Sequence, residues 1–362
     1  MMMRRRLFPS VILLPLAAAH ADDARAQEGS WTVVYLHPAG YLESEVLAAT
    51  GSLQGGYASP DSNLGYARPI LWKSPRTGLV DLLPEGWRRA TIRGMSEGVQ
   101  VGDIAGEEFN SQFGIVWHGS ARDFVIMDPP PGYGSTYLSA VSGDVYVGYA
   151  GFRETGMSHA AIWRGTPESF VDLHHPSASW TEAYATDGEF QGGRAKIPRP
   201  VLQMHACLWR GTAESFVDMH PEGAKSSVIR GMAPGVQVGE ALFDTRHRAV
   251  LWHGTPESVV VMSPEASYNS YLYATTGTIH VGYITRLGGC ADAGYWTGDA
   301  PESFVSLTAH LDPGWDCAAA RAISEHKGRL YVAGHASSPQ GRTEAVVWIS
   351  PKLKTTRPAE AP

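Results

Sequence analysis

Short apolar runs that end at a tryptophan recur along the whole chain and set its hydrophobic pattern. The tryptophan closes segments such as GIVW, AAIW and AVLW, and successive copies lie 43 to 52 residues apart. The seven copies are Trp72, Trp117, Trp163, Trp209, Trp252, Trp296 and Trp348. Short runs rich in β-branched and aromatic residues are typical of strands. A period near 45 residues therefore predicts a repeated β unit.

Three further positions divide each repeat into four strands. A glycine that ends a β-rich run, as in VQVG or VYVG, precedes each tryptophan by 13 to 16 residues. An apolar residue follows the first six tryptophans by seven or eight residues, in segments such as SFVDLHP. Upstream of each glycine a small residue recurs: Ala48, Gly94, Ala140, Ala185, Gly231, Ala274 and Ala322. A position restricted to Ala or Gly marks close backbone approach, which in a ring of sheets is nearest the axis.

The two ends of the chain favour a ring over a solenoid, which would need distinct capping repeats. After Trp348 only ISPKLKTTRPAEAP follows, so the seventh repeat lacks its fourth strand, whereas WTVVYLHP at 31–38 matches SFVDMHP. Four-stranded units of this length suit propeller blades. We predict an all-β, seven-bladed β-propeller over residues 31–350, closed by the N-terminal strand completing the last blade, with a disordered tail at 351–362.

The first residues, MMMRRRLFPSVILLPLAAAHADDARAQ, have the layout of a secretory signal peptide. We predict cleavage after residue 21, with a second possible site after residue 26; an uncleaved N-terminal anchor is the alternative. The apolar run is too short to cross a bilayer as a helix. We therefore expect export to the periplasm or the extracellular space, with no membrane insertion after cleavage.

Charge and motif content narrow the functional classes. The net charge of −7 is spread along the chain with no basic stripe, which argues against a nucleic-acid partner. Phosphate-binding loops and zinc-type Cys or His pairs are absent from the sequence. We expect a monomer with no cofactor and no metal. Cys290 and Cys317 either bridge neighbouring repeats or stay free, and Cys207 in HACLW is interpreted as a buried strand residue.

The residue just before each small residue is free to vary and forms the candidate binding site. These residues are Leu47, Arg93, Ser139, Tyr184, Arg230, Tyr273 and Arg321. We predict that Arg93, Arg230, Arg321, Tyr184 and Tyr273 converge near the central channel. Guanidinium groups suit carboxylates or phosphates, and tyrosines offer stacking and hydroxyl contacts. The alternative is that these arginines pair with acidic neighbours such as Glu97 and Glu325 and line a solvated tunnel.

Repeated polar residues elsewhere are interpreted as structural. His159 and His205 precede Ala in HAAIW and HACLW, where a local hydrogen bond is expected in preference to metal ligation. Asp172 with His174, like Asp218 with His220, stands on the outermost strand, where polar residues protect an exposed edge.

The combination of a small-residue strand, GxVxG, HAxLW and DLHP resembles the HAF-type repeats of bacterial exported proteins, with kelch-like propellers a weaker match. The resemblance implies an exported propeller and no common activity. We predict a binding or scaffold module whose ligand is a small anion, a glycan or a partner-protein segment. One alternative is a hydrolase or lyase on a saccharide or acidic substrate, with Asp187, Glu97 or Glu325 as base. Another is a structural envelope component.

Overall fold

The computed structural model describes residues 30–62, 64–74, 78–107, 112–198 and 203–353. The predicted signal peptide and the tail from residue 354 onward lie outside the described residues. In the described ranges the regular structure is β-strand, apart from four short 3-10 turns. None of the helical segments in these ranges is long and apolar enough to cross a membrane. The predicted all-β class is confirmed.

The strands of the first half are β1 (Thr32–Tyr35), β2 (Glu43–Thr50), β3 (Leu53–Ser59), β4 (Arg68–Ser74), β5 (Gly78–Asp81), β6 (Arg89–Ser96), β7 (Val99–Ala105), β8 (Gln112–Ser120), β9 (Asp123–Met127), β10 (Tyr133–Ser142), β11 (Val145–Phe152), β12 (Ser158–Arg164) and β13 (Thr166–Asp172). Those of the second half are β14 (Trp180–Thr186), β15 (Gln191–Ile197), β16 (Gln203–Trp209), β17 (Val217–Asp218), β18 (Ser226–Ala233), β19 (Val236–Phe243), β20 (Arg246–Trp252), β21 (Val260–Val261), β22 (Asn269–Thr275), β23 (Ile279–Thr285), β24 (Ala291–Thr297), β25 (Val305–Ser306), β26 (Asp316–His326), β27 (Arg329–Ser337) and β28 (Thr343–Ile349). The 3-10 turns are Ala213–Ser215, Pro256–Ser258, Pro301–Ser303 and Thr308–His310.

The strands pair in consecutive antiparallel groups of four, as the repeat predicts. Unit 1 is β2–β5, unit 2 is β6–β9, unit 3 is β10–β13, unit 4 is β14–β17, unit 5 is β18–β21, unit 6 is β22–β25, and unit 7 is β26–β28 with β1. A single parallel bridge between Met204 and Ser226 links the sheets of units 4 and 5. In each unit the first strand carries the small residue and the third carries the tryptophan.

Unit 7 takes its outer strand from the other end of the chain. β1 pairs antiparallel with β28, with Val33 opposite Trp348. Unit 7 also packs against unit 1, because β2 contacts β26, β27 and β28. The Ala345 N–H donates to Ser44 Oγ (2.9 Å), and the Ser324 hydroxyl donates to the Gly51 carbonyl (2.8 Å).

The recurring tryptophans form the core, as predicted for residues that pack one unit against the next. Trp117, Trp163, Trp252, Trp296 and Trp348 are fully buried. The aromatic residue of the outer strand packs on the tryptophan of its own unit, with ring centroids 5.6 Å apart for Trp163 and Phe170. Burial of large aromatic side chains at equivalent positions is the main apolar contribution of each unit.

The DLHP segments connect neighbouring units through hydrogen bonds. In unit 4, Asp218 Oδ1 accepts the His220 N–H (3.0 Å) and Oδ2 contacts Nδ1 of His205 (2.7 Å). His220 Nδ1 lies 2.7 Å from Oγ of Ser227 in unit 5, and that oxygen accepts the Ala206 N–H from unit 4. The local hydrogen bond expected of His205 is confirmed. The Asp and His of DLHP do more than protect an edge, since they fix the junction between two sheets.

Unit 3 repeats this arrangement. His159 Nδ1 lies 2.9 Å from Asp172 Oδ2, which also accepts the Tyr133 hydroxyl (2.6 Å). His159 stacks on His174 with ring centroids 3.9 Å apart. Burial, reinforced by the neighbouring His159, lowers the pKa of His174 to about 4, so its imidazole is neutral at pH 7.

The disulfide and the end of the domain complete the fold. Cys290 and Cys317 are bridged, with Cα atoms 5.1 Å apart, and join the β23–β24 connection of unit 6 to β26 of unit 7. Cys207 is free and buried. The ordered chain passes the predicted boundary at residue 350, because the Leu353 N–H donates to the Gly328 carbonyl (2.8 Å).

Candidate functional site

A β-bulge sets the direction of the candidate binding residues. In every unit the pairing of the first and second strands shifts register by one residue, for example between Leu138 and Ala140 in unit 3. The unpaired residue is always the candidate one: Leu47, Arg93, Ser139, Tyr184, Arg230, Tyr273 and Arg321, hereafter the inner ring. A bulge leaves one residue outside the ladder and re-aims its side chain. That explains why this position varies between apolar, polar and charged residues while its neighbours are always apolar or small.

The repeated glycine is what makes the bulge possible. A Cβ on Gly148 would lie 1.8 Å from the Tyr137 carbonyl oxygen, and one on Gly239 would lie 1.9 Å from that of Val228. The same clash recurs at the equivalent glycines, which are Gly56, Gly102, Gly193, Gly282 and Gly334. The glycine is therefore required for close approach across the bulged pair.

The small residues mark contacts between inner strands of neighbouring units. A Cβ on Gly94 would lie 2.7 Å from the Cα of Ala140, and one on Gly231 would lie 2.3 Å from the Tyr273 carbonyl oxygen. The crowding expected at this position is present. Larger residues here would push adjacent units apart.

The seven inner-ring residues line one cavity of about 210 Å³. All five residues predicted to bind a ligand, Arg93, Arg230, Arg321, Tyr184 and Tyr273, are among them. The small residues beside them contribute the rest of the wall. The structure thus brings the predicted site residues together.

Each inner-ring arginine is held by a carboxylate. Nε of Arg93 donates to Asp103 Oδ1 (2.9 Å), and Nη2 of Arg230 donates to Glu240 Oε1 (2.8 Å). Nε of Arg321 donates to Glu45 Oε1 (2.8 Å) across the junction of units 7 and 1.

These three carboxylates are nearly buried, whereas the arginine side chains keep 24–37 % of their surface exposed. Because the same arginines line the cavity, the carboxylates orient guanidinium groups that remain accessible to a ligand.

The acidic residues proposed from the sequence lie elsewhere. Glu97 and Glu325 are exposed at the hairpins between first and second strands. Asp187 Oδ1 accepts the N–H groups of Glu189 and Phe190 in such a turn. The prediction that the arginines pair with acidic residues is therefore confirmed, but the predicted partners Glu97 and Glu325 are wrong. Asp103 and Glu240 lie on the strand paired with that of their arginine, and Glu45 lies on the first strand of the neighbouring unit. The arrangement of strands rather than sequence proximity decides which side chains meet.

A second set of polar residues, missed in the sequence, supports the inner ring. It is formed by the residue that follows each repeated glycine: Tyr57, Asp103, Tyr149, Arg194, Glu240, Tyr283 and His335. We call this set the second ring. Each of its members lies opposite a first-strand residue, such as Tyr137 opposite Tyr149 and Glu182 opposite Arg194. The sequence pattern could have identified this set, since every residue directly after the repeated glycine is charged or aromatic.

The second ring also contributes a fourth ion pair, and cation–π contacts join members of the inner ring. Arg194 Nη2 donates to Glu182 Oε2 (2.9 Å), and the same oxygen accepts the Tyr184 hydroxyl. The guanidinium of Arg321 lies 4.3 Å from the ring centroid of Tyr273, and that of Arg230 lies 5.5 Å from Tyr184. Such cation–π contacts hold both the cation and the ring in place.

The ion pairs stay charged over a wide pH range. Burial alone would raise the pKa of Glu45, but hydrogen bonding and charge from His335 and Arg321 outweigh it and lower the pKa to about 2. Burial would lower the pKa of the Arg93 guanidinium, but Asp103 raises it above its usual value. Burial, with added repulsion from Glu182, raises the pKa of the Tyr184 hydroxyl. The hydroxyl is therefore protonated at neutral pH and donates a hydrogen bond.

Metal binding has no support in the part of the chain that the structure describes, where no group of three or more His, Cys, Asp or Glu side chains is placed to hold an ion. The cavity can instead donate hydrogen bonds from guanidinium groups, and both donate and accept them through the hydroxyl groups of its tyrosines and Ser139. This is the chemistry of a polar binding site.

Comparison with solved structures identifies the fold. The propeller domain of the Trilobed protease from Pyrococcus furiosus has a TM-score of 0.59 and 10 % identity, with 89 % of this chain and 98 % of that chain covered. A puromycin hydrolase has a TM-score of 0.59 and 13 % identity over 90 % of this chain, which spans only 57 % of that protein. An oligogalacturonate lyase from Vibrio parahaemolyticus has a TM-score of 0.54 and 12 % identity, covering 87 % of this chain and 90 % of that one.

No protein-family model and no curated protein sequence matches the chain. The structural likenesses show that the fold is a β-propeller. At such identities they carry no activity over to this chain.

Proposed function

We propose that this protein is a closed seven-bladed propeller that binds a small molecule in its central cavity. Units 1 to 7 would be the blades, and β1 would close the ring. The closure is supported by the pairing of β1 with β28 and by the hydrogen bonds between units 7 and 1. The propeller of the Trilobed protease has an open velcro topology, so closure is a property to test in this chain.

One observation carries the binding proposal. Seven bulged residues, equivalent in the seven units, line the same cavity, and its three arginines are each fixed by a nearly buried carboxylate. A side chain held in one orientation loses less entropy when it binds a partner. The fixed Arg and Tyr groups are therefore preorganised for a polar ligand.

We further propose that the protein is an exported monomer of the HAF-type repeat class. The arginine-rich start with its short apolar run supports export. The repeat class is supported by the recurring small-residue strand with its GxVxG and HAxLW segments. Mass spectrometry of the mature N-terminus and sedimentation analysis would test cleavage after residue 21 or 26 and the monomeric state.

A thermal-shift screen tests the binding function. A ligand that binds the native state selectively raises the melting temperature by mass action. We expect hits from a library of sugars, organic acids, amino acids and phosphate esters. Each genuine hit should lose its shift in Arg230→Gln, which removes one cavity guanidinium. It should keep its shift in Arg68→Gln, which removes an equivalent ion pair with Asp81 (2.6 Å) outside the cavity.

A second variant keeps the test decisive if Arg230→Gln fails to fold. Leu47→Trp would fill part of the cavity without touching an ion pair, since Leu47 is an inner-ring residue. A library with no hit that depends on the cavity would refute the binding proposal. Chemical change of a hit, followed by mass spectrometry, would favour the enzyme alternative, a hydrolase or lyase on a saccharide or acidic substrate.

A further inference from the structure

Carboxylates behind the cavity wall pair with the arginines around the cavity. Arg93, Arg230 and Arg321 each contact one carboxylate at 2.8–2.9 Å. A fourth pair, Arg194 with Glu182 at 2.9 Å, stands beside Tyr184. Four guanidinium groups therefore face four carboxylates. Three arginines in one cavity would suggest an anion site if taken alone, but the four carboxylates offset that positive charge.

An anionic ligand would have to compete with these carboxylates. Asp103 and Glu240 retain only 2 % and 8 % of their side-chain exposure, so each depends on its arginine for charge compensation. Drawing a guanidinium away would leave a buried carboxylate unpaired, which is strongly unfavourable. An anion that shares the guanidinium instead meets a like charge nearby, which also opposes binding.

An uncharged hydroxyl group neither displaces a carboxylate from its arginine nor places a like charge beside it. A hydroxyl accepts a hydrogen bond from a guanidinium N–H and donates one to a carboxylate or a phenol oxygen. The wall offers both partners, because its arginines are partly exposed and the Tyr184 hydroxyl lies in contact with Glu182. A ligand with several hydroxyl groups can use the ion pairs as they stand.

The size of the cavity limits the ligand. At about 210 Å³ it is smaller than the roughly 300 Å³ at which typical ligand pockets begin. The Tyr184 and Tyr273 rings are held against Arg230 and Arg321, so the wall has little room to expand. A molecule of about one sugar ring suits this space.

We infer that the cavity prefers an uncharged, hydroxyl-rich ligand of about one sugar ring over an anion of the same size. The inference rests on the proposed binding function and names the ligand class of that same site.

Matched sugar pairs test this preference. Glucose, galactose and mannose would each be compared with their uronic acids by calorimetry, with inorganic phosphate as a simple anion. We expect at least one neutral hexose to bind about tenfold more tightly than its uronate, given the cost of disturbing the buried pairs. Its affinity should change less than about twofold between about 50 mM and about 500 mM NaCl, because screening acts on net charge.

Charge variants give a second readout. Glu240→Gln leaves Arg230 unpaired and the wall with one extra positive charge, so the uronate should gain affinity relative to the hexose. Glu189→Gln is the matched control, since its pair with Arg210 is exposed and its members do not line the cavity. If Glu240→Gln does not fold, Asp103→Asn makes the same change at Arg93.

The outcomes separate this inference from the proposed function. Tighter binding of a uronate or phosphate, lost in Leu47→Trp, would overturn the inference and leave the binding function standing. Binding by neither hexoses nor anions would also overturn it, and the library screen would then decide whether the cavity binds any other molecule. An unchanged hexose-to-uronate ratio in both charge variants would contradict the charge-balance argument.

Discussion

His280 should make the stability of this protein fall in mild acid. It lies on β23, two residues before the repeated glycine, where units 1, 2, 4 and 5 have Gln54, Gln100, Gln191 and Gln237. The side chain is fully buried, and Nδ1 lies 2.8 Å from the Thr275 hydroxyl. Burial lowers the pKa of His280 to about 4, because attraction from Asp299 and from the Gly298 backbone offsets it only in part.

The sign and size of the effect follow from this shift. The unfolded chain has an imidazole pKa near 6.5, so it binds the proton first as the pH falls. The stabilisation due to neutral His280 is thus complete above pH 6.5 and is lost as the pH falls towards 4. One pKa unit corresponds to about 1.4 kcal/mol, which gives a loss of about 2 kcal/mol at about pH 5.

Urea unfolding of the wild type and His280→Gln at about pH 7.5 and about pH 5 measures this loss. Glutamine is the matched replacement, because Gln237 accepts the Gly254 N–H (2.8 Å) at the equivalent position. The wild type should lose about 2 kcal/mol more than the variant between the two pH values. Acid-sensitive groups elsewhere, such as His174, act equally on both proteins.

His118→Gln is the control for the same replacement at an exposed position, since the His118 side chain is 40 % exposed. A difference below about 0.5 kcal/mol between the pH dependences of the wild type and His280→Gln would refute the argument that burial holds this imidazole neutral.

Three further changes test the fold. Gly148→Ala places a Cβ 1.8 Å from a carbonyl oxygen and should lower the free energy of unfolding in urea by about 3 kcal/mol. Gly134→Ala, whose Cβ would lie 3.5 Å from its nearest neighbour, should lower it far less. Equal losses would contradict the role of the bulge glycine. Glu45→Gln should destabilise the protein by about 3 kcal/mol, because it leaves Arg321 without its charged partner. Glu325 is exposed, so Glu325→Gln should leave the stability unchanged in the same assay. Cys290→Ser removes a disulfide between residues 27 positions apart and should lower the free energy of unfolding by about 3 kcal/mol. The melting temperature of this variant should no longer respond to a reductant. A response equal to that of the wild type would count against the disulfide.

The fold could be predicted from sequence because its constraints repeat. The buried tryptophans, the glycine that permits the bulge and the small residue at the contact between units are each fixed by packing, so they recur with little variation. Aligning these three positions also identified the inner ring without knowledge of any ligand. All five predicted binding residues line the same cavity.

The carboxylates that pair with the inner-ring arginines could not be predicted in the same way. Glu97 and Glu325 follow Arg93 and Arg321 closely in sequence, but both side chains extend from exposed hairpins. The bulge shifts the strand register, so Arg93 instead meets Asp103 on the adjacent strand. Only the paired strands reveal this partner, and with it the charge balance of the cavity.

The pairing of β1 with β28 has a consequence for how the chain must fold. Val33 of β1 lies opposite Trp348 of β28, more than 300 positions later in the chain. During synthesis the first strand is made long before its partner exists, so its edge stays unpaired while the intervening sheets form. Contacts of such separation are slow to form and leave hydrophobic edges open to aggregation. Newly made copies are therefore most prone to aggregate before this last step of folding is complete.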